Sequence, residues 1–360
     1  STLYGSGALG GVVNIVTKGG SYRDSFSVNG ALVNSYNSVN NSGSGRIKLA
    51  AGSNNWFANI SGNLRSADNT ETPEGVLENS QFKDNNLSAQ IGLKPFENHE
   101  LLVNYQKFSA TDVGIPGGAA FSAPAIATYK TAEREMFSTE YRLKNALPKM
   151  SNLSLKYFRQ IVDRRVEMLP NANAIVNPTG IHTTNGLQLQ TDWVFGNHHY
   201  VIAGVDAWQR EVDSWRTKYI KPKKQTVGER PIPVSTYRSV GFYAQDEVAL
   251  IANKLSMTVG GRVDRIEVEN DKAVNPEYII ANGVRNDAPP TQTVLWEAGK
   301  ENDISASASV GLLYKLTGDI DLVANGARAF RSPSLEERYQ FIQLGGATYW
   351  GEPNLEPENG

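Results

Sequence analysis

The sequence contains no cysteine, so disulfides and thiolate metal sites are excluded at the outset. It has no excess of either charge: 35 basic against 37 acidic side chains leave a net charge of −2. Nucleic-acid binding requires a basic surplus or stripe, and none is present. It also lacks any run approaching the roughly 18 apolar residues of a membrane-spanning helix. The longest apolar stretches, such as Gly11-Val12-Val13-Asn14-Ile15-Val16, are strand-sized. Histidine is scarce, at 4 residues, which limits imidazole chemistry to a few positions. The chain opens on Ser1 without a signal peptide and reads as a piece of something longer. These absences leave one membrane architecture open. A β-barrel dilutes its apolar residues by alternation and escapes hydropathy searches.

Alternation with period two is what the sequence has in abundance. Leu187, Leu189, Thr191, Trp193 and Phe195 are separated by Gln188, Gln190 and Asp192. Leu255, Met257, Val259 and Val263 alternate with Ser256, Thr258, Arg262 and Asp264. Val310, Leu312 and Tyr314 sit in one register, with Ser309 and Lys315 in the other. A helix would place its apolar residues at i, i+3, i+4 and i+7, and these segments do not. The fold class is all-β.

Tight polar turns recur near Asn54, Asn98, Leu147, Asn197, Ala252 and Gly318. Long polar stretches lie between them, near 66–86, 110–131, 168–182, 218–236 and 269–302. Short turn, strand, long loop, strand is the rhythm of an outer-membrane barrel, with short periplasmic turns and longer extracellular loops. Lipid cannot hydrogen-bond a bare backbone, so such strands must pair in a closed ring. About thirteen strands are expected between residues 21 and 331, an odd number, and barrels of single bacterial chains have even ones. The remaining strands are therefore expected beyond Gly360. The apolar register, including Leu187, Leu189, Val259 and Val310, is expected to face lipid. Gln188, Gln190, Asp192, Arg262, Asp264 and Lys315 are expected to face a wide lumen.

Two motif regions narrow the class. The first holds Leu3, Tyr4, Gly5, Ser6, Gly7, Ala8, Gly10, Gly11, Asn14, Ile15, Thr17 and Lys18. Gly5, Gly7 and Gly10 have dinucleotide-binding spacing, but they run into a strand-like segment instead of a helix, which removes the context that reading needs. As a whole the stretch resembles the end of the plug domain of TonB-dependent outer-membrane receptors, carried by Tyr4, Gly5, Gly7, Gly10, Gly11 and Asn14. The second region is a pair of boxes. Phe330-Arg331-Ser332-Pro333-Ser334-Leu335 and Glu352-Pro353-Asn354-Leu355-Glu356-Pro357-Glu358 resemble two boxes of the same family, with Ser332 and Glu352 departing from its pattern. Prolines ending a strand explain either box alone. Both boxes in order, after a plug-like start and an alternating barrel, are far more specific.

The resemblance implies residues 1–19 as the end of a plug and 20–360 as part of a barrel of the 22-stranded type. It implies a transporter and not an enzyme, sited in the outer membrane of a Gram-negative cell, embedded in lipid and energised by TonB. Its cargo would be a ferric siderophore or similar iron chelate, with cobalamin or haem receptors and a passive porin as the alternatives. Haem-specific members place a histidine between the two boxes, and residues 334–351 hold none. His99, His198 and His199 fall in expected periplasmic turns, and His182 in an expected outer loop. No resident cofactor or metal site is expected; Asp68, Asp84 and Asp112 match no calcium-loop spacing.

Aromatics expected on the outer side include Phe121, Tyr129, Tyr349 and Trp350, placed to stack on a planar ligand. Trp215, Tyr219 and Tyr237 fit equally well in an interfacial aromatic girdle. Arg134 and Arg331, with Arg216 and Arg238, are candidate partners for an anionic chelate, because a guanidinium matches carboxylate-like oxygens. The plainer reading of each arginine is a wall charge paired with Glu135, Glu211 or Asp213.

Overall fold

The computed structural model describes residues 13–14, 19–117, 125–344 and 347–360. The plug-like residues Tyr4, Gly5, Gly7, Gly10 and Gly11, and Phe121 of the outer set, lie outside it; Asn14 lies within.

Thirteen strands of the described residues build one continuous wall. They are β1 (Ser27–Asn37), β2 (Ser42–Gly52), β3 (Trp56–Ala67), β4 (Phe82–Leu93), β5 (His99–Thr111), β6 (Ile126–Leu147) and β7 (Met150–Asn171). The wall continues with β8 (Ala174–Phe195), β9 (His199–Ile220), β10 (Ser235–Ile251), β11 (Leu255–Asn270), β12 (Gly299–Lys315) and β13 (Asp321–Arg328). Each pairs antiparallel with its neighbour in the chain, a plain up-and-down meander. Among the described residues, β1 and β13 each have one strand partner.

The tight turns lie side by side along one rim, as backbone hydrogen bonds between adjacent turns show. Lys94 N–H donates to the Asn55 carbonyl (2.8 Å), Lys144 to Asn98 (2.9 Å), Val194 to Lys149 (2.8 Å), Ala249 to His198 (2.8 Å) and Lys315 to Lys254 (2.9 Å). Asn98 (φ 63°), Gly196 (φ 62°) and Asn253 (φ 57°) take the left-handed conformation these turns demand. Asparagine and glycine enter that region most cheaply.

Pairing register separates the two faces. Leu189, Val205, Phe242, Val263 and Ala306 face one another across five strands. One residue along, Gln188, Asp206, Gly241, Asp264 and Ser305 do the same on the other face. Leu187, Leu189, Phe242, Val259, Val310 and Leu312 are exposed on the outside, whereas Arg262, Asp264 and Ser305 are buried on the inside. There Arg262 bridges Asp206 (2.6 and 2.8 Å) on β9 and Asp264 on its own strand. Gly241 makes room for this, since a Cβ at that point would strike the Arg262 guanidinium.

The long polar stretch expected at 168–182 is not a loop. It is the tops of β7 and β8, joined by a two-residue turn at Ala172 and Asn173. Above the apolar belt both faces of a strand meet polar surroundings, so the alternation that marks a strand disappears. Pro178 misleads as well. It pairs with Arg216 on β9, and the β7–β8 pairing lapses beside it, between Thr179 and Val176, as suits a residue with no N–H to give. His182 is accordingly a wall residue opposite Val162 and Val212, on the inner register.

The chain enters the wall along its inner face. Gly20 N–H donates to Gln90 Oε1 (2.6 Å), and Gln90 passes the network to Asn104 (2.8 Å). Tyr22 packs edge-on against Phe57 (5.0 Å) under the Lys94 ammonium (3.8 Å). Gly20 cannot carry a side chain there, because a Cβ would overlap the Phe57 ring.

Candidate ligand-binding site

After β13 the chain folds back over the inner face of β9–β12 and forms a compact module. Its one helix, α1 (Leu335–Tyr339), starts with a reciprocal cap: Ser334 Oγ accepts from Glu337 N–H (3.2 Å) while the Glu337 carboxylate accepts from Ser334 N–H (2.7 Å). Leu335, Tyr339, Phe330 and Phe341 pack with Trp296 onto Val212, Tyr237, Ile266 and Val268 of the wall. Tyr237 also stacks on Trp208 (5.1 Å, 12°), which removes it from any outer girdle. Trp215 and Tyr219 keep the outward register of β9.

The two sequence boxes meet in this module. Phe330 and Arg331 pair antiparallel with Asn359 and Glu358. The Arg331 guanidinium donates to both oxygens of Glu337 (2.9 and 2.9 Å) and of Glu358 (3.0 and 2.8 Å). Two further bonds, Glu352 N–H to the Glu337 carbonyl (3.0 Å) and Gly351 N–H to the Gln340 carbonyl (2.8 Å), tie the second box to the helix. Arg338, only 2 % exposed, anchors the module to the wall through Asp303 of β12 (3.0 Å) and the Pro353 carbonyl. Arg210 of β9 adds a bond to Glu336 (2.9 Å).

What this scaffold presents is an aromatic hairpin, Phe341–Leu344 paired with Ala347–Trp350. The Trp350 ring touches Phe341 (5.1 Å, 79°) and Trp296 (5.9 Å, 47°), yet Trp350 and its neighbour Tyr349 are each 57 % exposed. A large ring held on one side and open on the other is a stacking surface with little ordering cost left for a ligand to meet.

The Arg331 clasp has an electrostatic signature. Hydrogen bonding from Arg331 holds the Glu337 carboxyl down at about 2 and lowers that of Glu358, while the two carboxylates raise Arg331. A carboxyl depressed on folding contributes stability above its ordinary value, near 4.5, and loses it as pH falls toward the folded value. The module is therefore expected to loosen between pH 4.5 and about 2 while the barrel persists. Trp350 fluorescence anisotropy in an acid titration reads this, and Glu337→Gln, which is permanently neutral, should leave the module looser at neutral pH and flatten the titration. An unchanged titration would show that the clasp does not hold the module.

The sequence-predicted residues fall into two groups. Arg331, Tyr349 and Trp350 belong to the loop module. Tyr129 and Arg134 lie together on β6, on the inner register, and no contact among the described residues joins them to the module. A bulge at Lys130, where Arg165 faces Thr131 but Val166 faces Tyr129, turns Tyr129 inward. Arg134 does not pair with Glu135; its acceptors are the Gln160 (2.7 Å) and Gln106 (3.2 Å) amide oxygens and Met136 Sδ (3.0 Å). Arg216 is taken by Glu229 (2.6 Å) and Arg238 by Glu267 (2.8 Å), leaving neither positioned as a free cation. Asp84 is held by Arg65 (2.7 Å), and Asp112 lies 3.8 Å from Lys130. Sequence reasoning missed Arg338, Asp303 and the Gln106–Gln160 pair, because their roles arise from contacts between distant strands and loops.

The sequence model of the family described as TonB dependent receptor-like, beta-barrel, matches residues 20–360. The chain belongs to this family. It is a family of outer-membrane transporters, not enzymes. Solved structures agree in fold. The copper transporter OprC superposes with a TM-score of 0.75 at 16 % identity, over 95 % of this chain and 52 % of that one. The unliganded ferric citrate transporter FecA gives 0.65 at 17 %, over 91 % and 47 %. The Serratia marcescens hemophore receptor HasR, solved as a double mutant with its hemophore HasA and heme, gives 0.69 at 12 %, over 92 % and 50 %. This receptor chain spans about half the length of each. No curated protein sequence matches it.

Proposed function

We propose that the full-length protein is a TonB-energised outer-membrane receptor that captures a scarce nutrient complex, a ferric siderophore or related iron chelate, at its extracellular mouth and imports it. The observation that carries this is the clasped module, which holds Tyr349 and Trp350 open at the mouth end of the wall. Across the lumen face, Tyr129 and Arg134 of β6 supply a further ring and a further cation, and Arg134 is bonded to neutral acceptors, two amide oxygens and the Met136 thioether, so its charge remains available. Arg331 acts differently from a ligand-neutralising arginine: with two carboxylates on it, it positions the aromatic hairpin. The plug-like motif in residues 1–19 implies a plug that closes the wide lumen until TonB acts on it, which separates this reading from a passive porin. Relatives of the fold carry names that span copper, ferric citrate and heme, so fold alone does not select the cargo. The absence of histidine from residues 334–351 favours a chelate over haem.

Growth of a receptor-deficient strain expressing the full-length protein on single iron sources, with and without TonB, tests the reading. Growth on a ferric chelate only when TonB is present is expected. Growth on haem alone would overturn the cargo, and TonB-independent uptake would overturn the mechanism.

A further inference from the structure

The outward face of the wall carries a carboxylate in apolar company. Asp246 lies on the outward register of β10, opposite Val201 of β9 and Val259 of β11, with Ala244 and Val248 on either side along its own strand. Among the described residues its one ionic partner is His199, the first residue of β9 after a tight turn, whose Nδ1–H donates to Asp246 Oδ2 (2.7 Å). Oδ1 is enclosed against the wall without a partner, yet the side chain is 32 % exposed, so its open side is that of Oδ2. Trp193 of β8, opposite Val201, and Phe195 stacked on it (6.2 Å, 4°) mark the lower membrane interface here. An ionisable group on a lipid-facing surface is costly and calls for partners. One ring N–H is a single donor for a group with about four acceptor sites.

Directly above this pair the outward face is recessed. Ala203, Ala244 and Gly261 pair in one row, the next one up from Val201, Asp246 and Val259. They floor a groove of about 680 Å³ flanked by Leu189, Phe242 and Val263. The protein's own packing does not require the glycine. A Cβ on Gly261 would meet nothing within 4 Å, its backbone is not left-handed, and the pairing on both sides runs through it without a bulge. A glycine inside a strand weakens it, and where neither turn nor bulge calls for one it marks the close approach of something else.

We propose that this face holds one phospholipid of the periplasmic leaflet, its ammonium head group on the Asp246 carboxylate and one acyl chain laid upward along the groove floored by Ala203, Ala244 and Gly261. Charge decides the class of lipid. A carboxylate accepts hydrogen bonds and donates none, so it attracts the primary ammonium of phosphatidylethanolamine with both charge and hydrogen bonds. The quaternary head of phosphatidylcholine has no N–H to give, and phosphatidylglycerol brings an anion with no cation beside it, which the carboxylate repels. His199 holds the carboxylate at the interface. The site lies on the opposite side of the wall from Tyr129 and Arg134, so it stands or falls independently of the cargo.

Lipid quenching in the full-length receptor tests this and needs no transport. Leu187→Cys, outward on β8 just above the groove, and Leu87→Cys, outward on the distant β4, each take a bimane label; the present 360 residues contain no cysteine, and any outside them is replaced by serine. Labelled receptor is placed in phosphatidylcholine vesicles with rising fractions of phosphatidylethanolamine or phosphatidylglycerol brominated at mid-chain, and quenching gives a relative association constant at each position. Brominated phosphatidylethanolamine should be favoured roughly fivefold at position 187 over position 87, the scale of one half-exposed carboxylate–ammonium contact, with no such excess for phosphatidylglycerol. Asp246→Asn should abolish the excess and Asp246→Glu should keep most of it. Gly261→Leu, which fills the floor and leaves the carboxylate in place, should also abolish it. Heat-modifiable gel mobility verifies that each variant is folded. Equal constants at the two positions overturn the proposal, as does an excess that survives Asp246→Asn. An excess for phosphatidylglycerol overturns it too, because the face then selects an anion. An excess lost in Asp246→Asn but kept in Gly261→Leu overturns the acyl groove.

Discussion

Val310→Arg is expected to destabilise the folded barrel by about 2–4 kcal/mol, whereas Ser309→Arg, one residue away, should cost close to nothing. Val310 is 45 % exposed on the outer face between Val259 and Gly326, a few residues above the tight turn that follows β12. A barrel strand crosses the apolar core in about 9–11 residues, which places Val310 near its middle. An arginine there has no water to solvate it, and its short reach to either interface leaves bilayer deformation as the only relief. Ser309 sits on the inner register opposite Gly260 and Ala327, where a charge meets the lumen and not lipid. Denaturant titration of refolding into lipid vesicles compares the two. Equal costs would mean that the register has been assigned to the wrong faces.

Arg338→Ala should release the loop module from the wall at a cost of about 3–5 kcal/mol, the usual penalty for removing one member of a buried ion pair. The guanidinium bonds Asp303 on one side and the Pro353 carbonyl on the other, so one planar fork joins β12, α1 and the second sequence box. With alanine, Asp303 keeps only its bond from Ser332 Oγ (2.7 Å). Lysine restores the charge without the fork and should recover only part of the loss. The wall itself is held by strand ladders that Arg338 does not enter, so heat-modifiable mobility should persist. Proteolytic cleavage within 330–360 should accelerate, and Trp296 and Trp350 should both become more mobile. If cleavage there stays at the wild-type rate, Arg338 is not the anchor.

Much of the wall was legible because membrane strands obey a two-sided solvent rule that writes itself into alternate residues. Leu255, Val259 and Val263 against Arg262 and Asp264 show it cleanly, and the Asn-rich turns at 53–55 and 252–254 mark where it reverses. Legibility failed at 168–182 for the converse reason: tall strands leave the apolar belt, and Asn171, Asn177, Pro178 and Thr179 then look like loop residues. The candidate site residues divide in the same way. Tyr349 and Trp350 announce themselves as aromatics between two boxes. Arg331 also announces itself, but its role depends on Glu337 and Glu358, 6 and 27 residues away, and a sequence does not show which carboxylates fold back onto it.

The strands share a lower rim but not an upper one. β1 and β2 are 11 residues long and β3 and β4 are 12, whereas β6 to β9 are each 22. At about 3.4 Å per residue and a tilt near 40°, the difference amounts to roughly 30 Å of height. The described half of the mouth is therefore a half-collar, a high parapet on one flank and a low sill on the other. On the low flank the polar inner face meets water almost at the level of the apolar belt, whereas on the high flank it continues well above it.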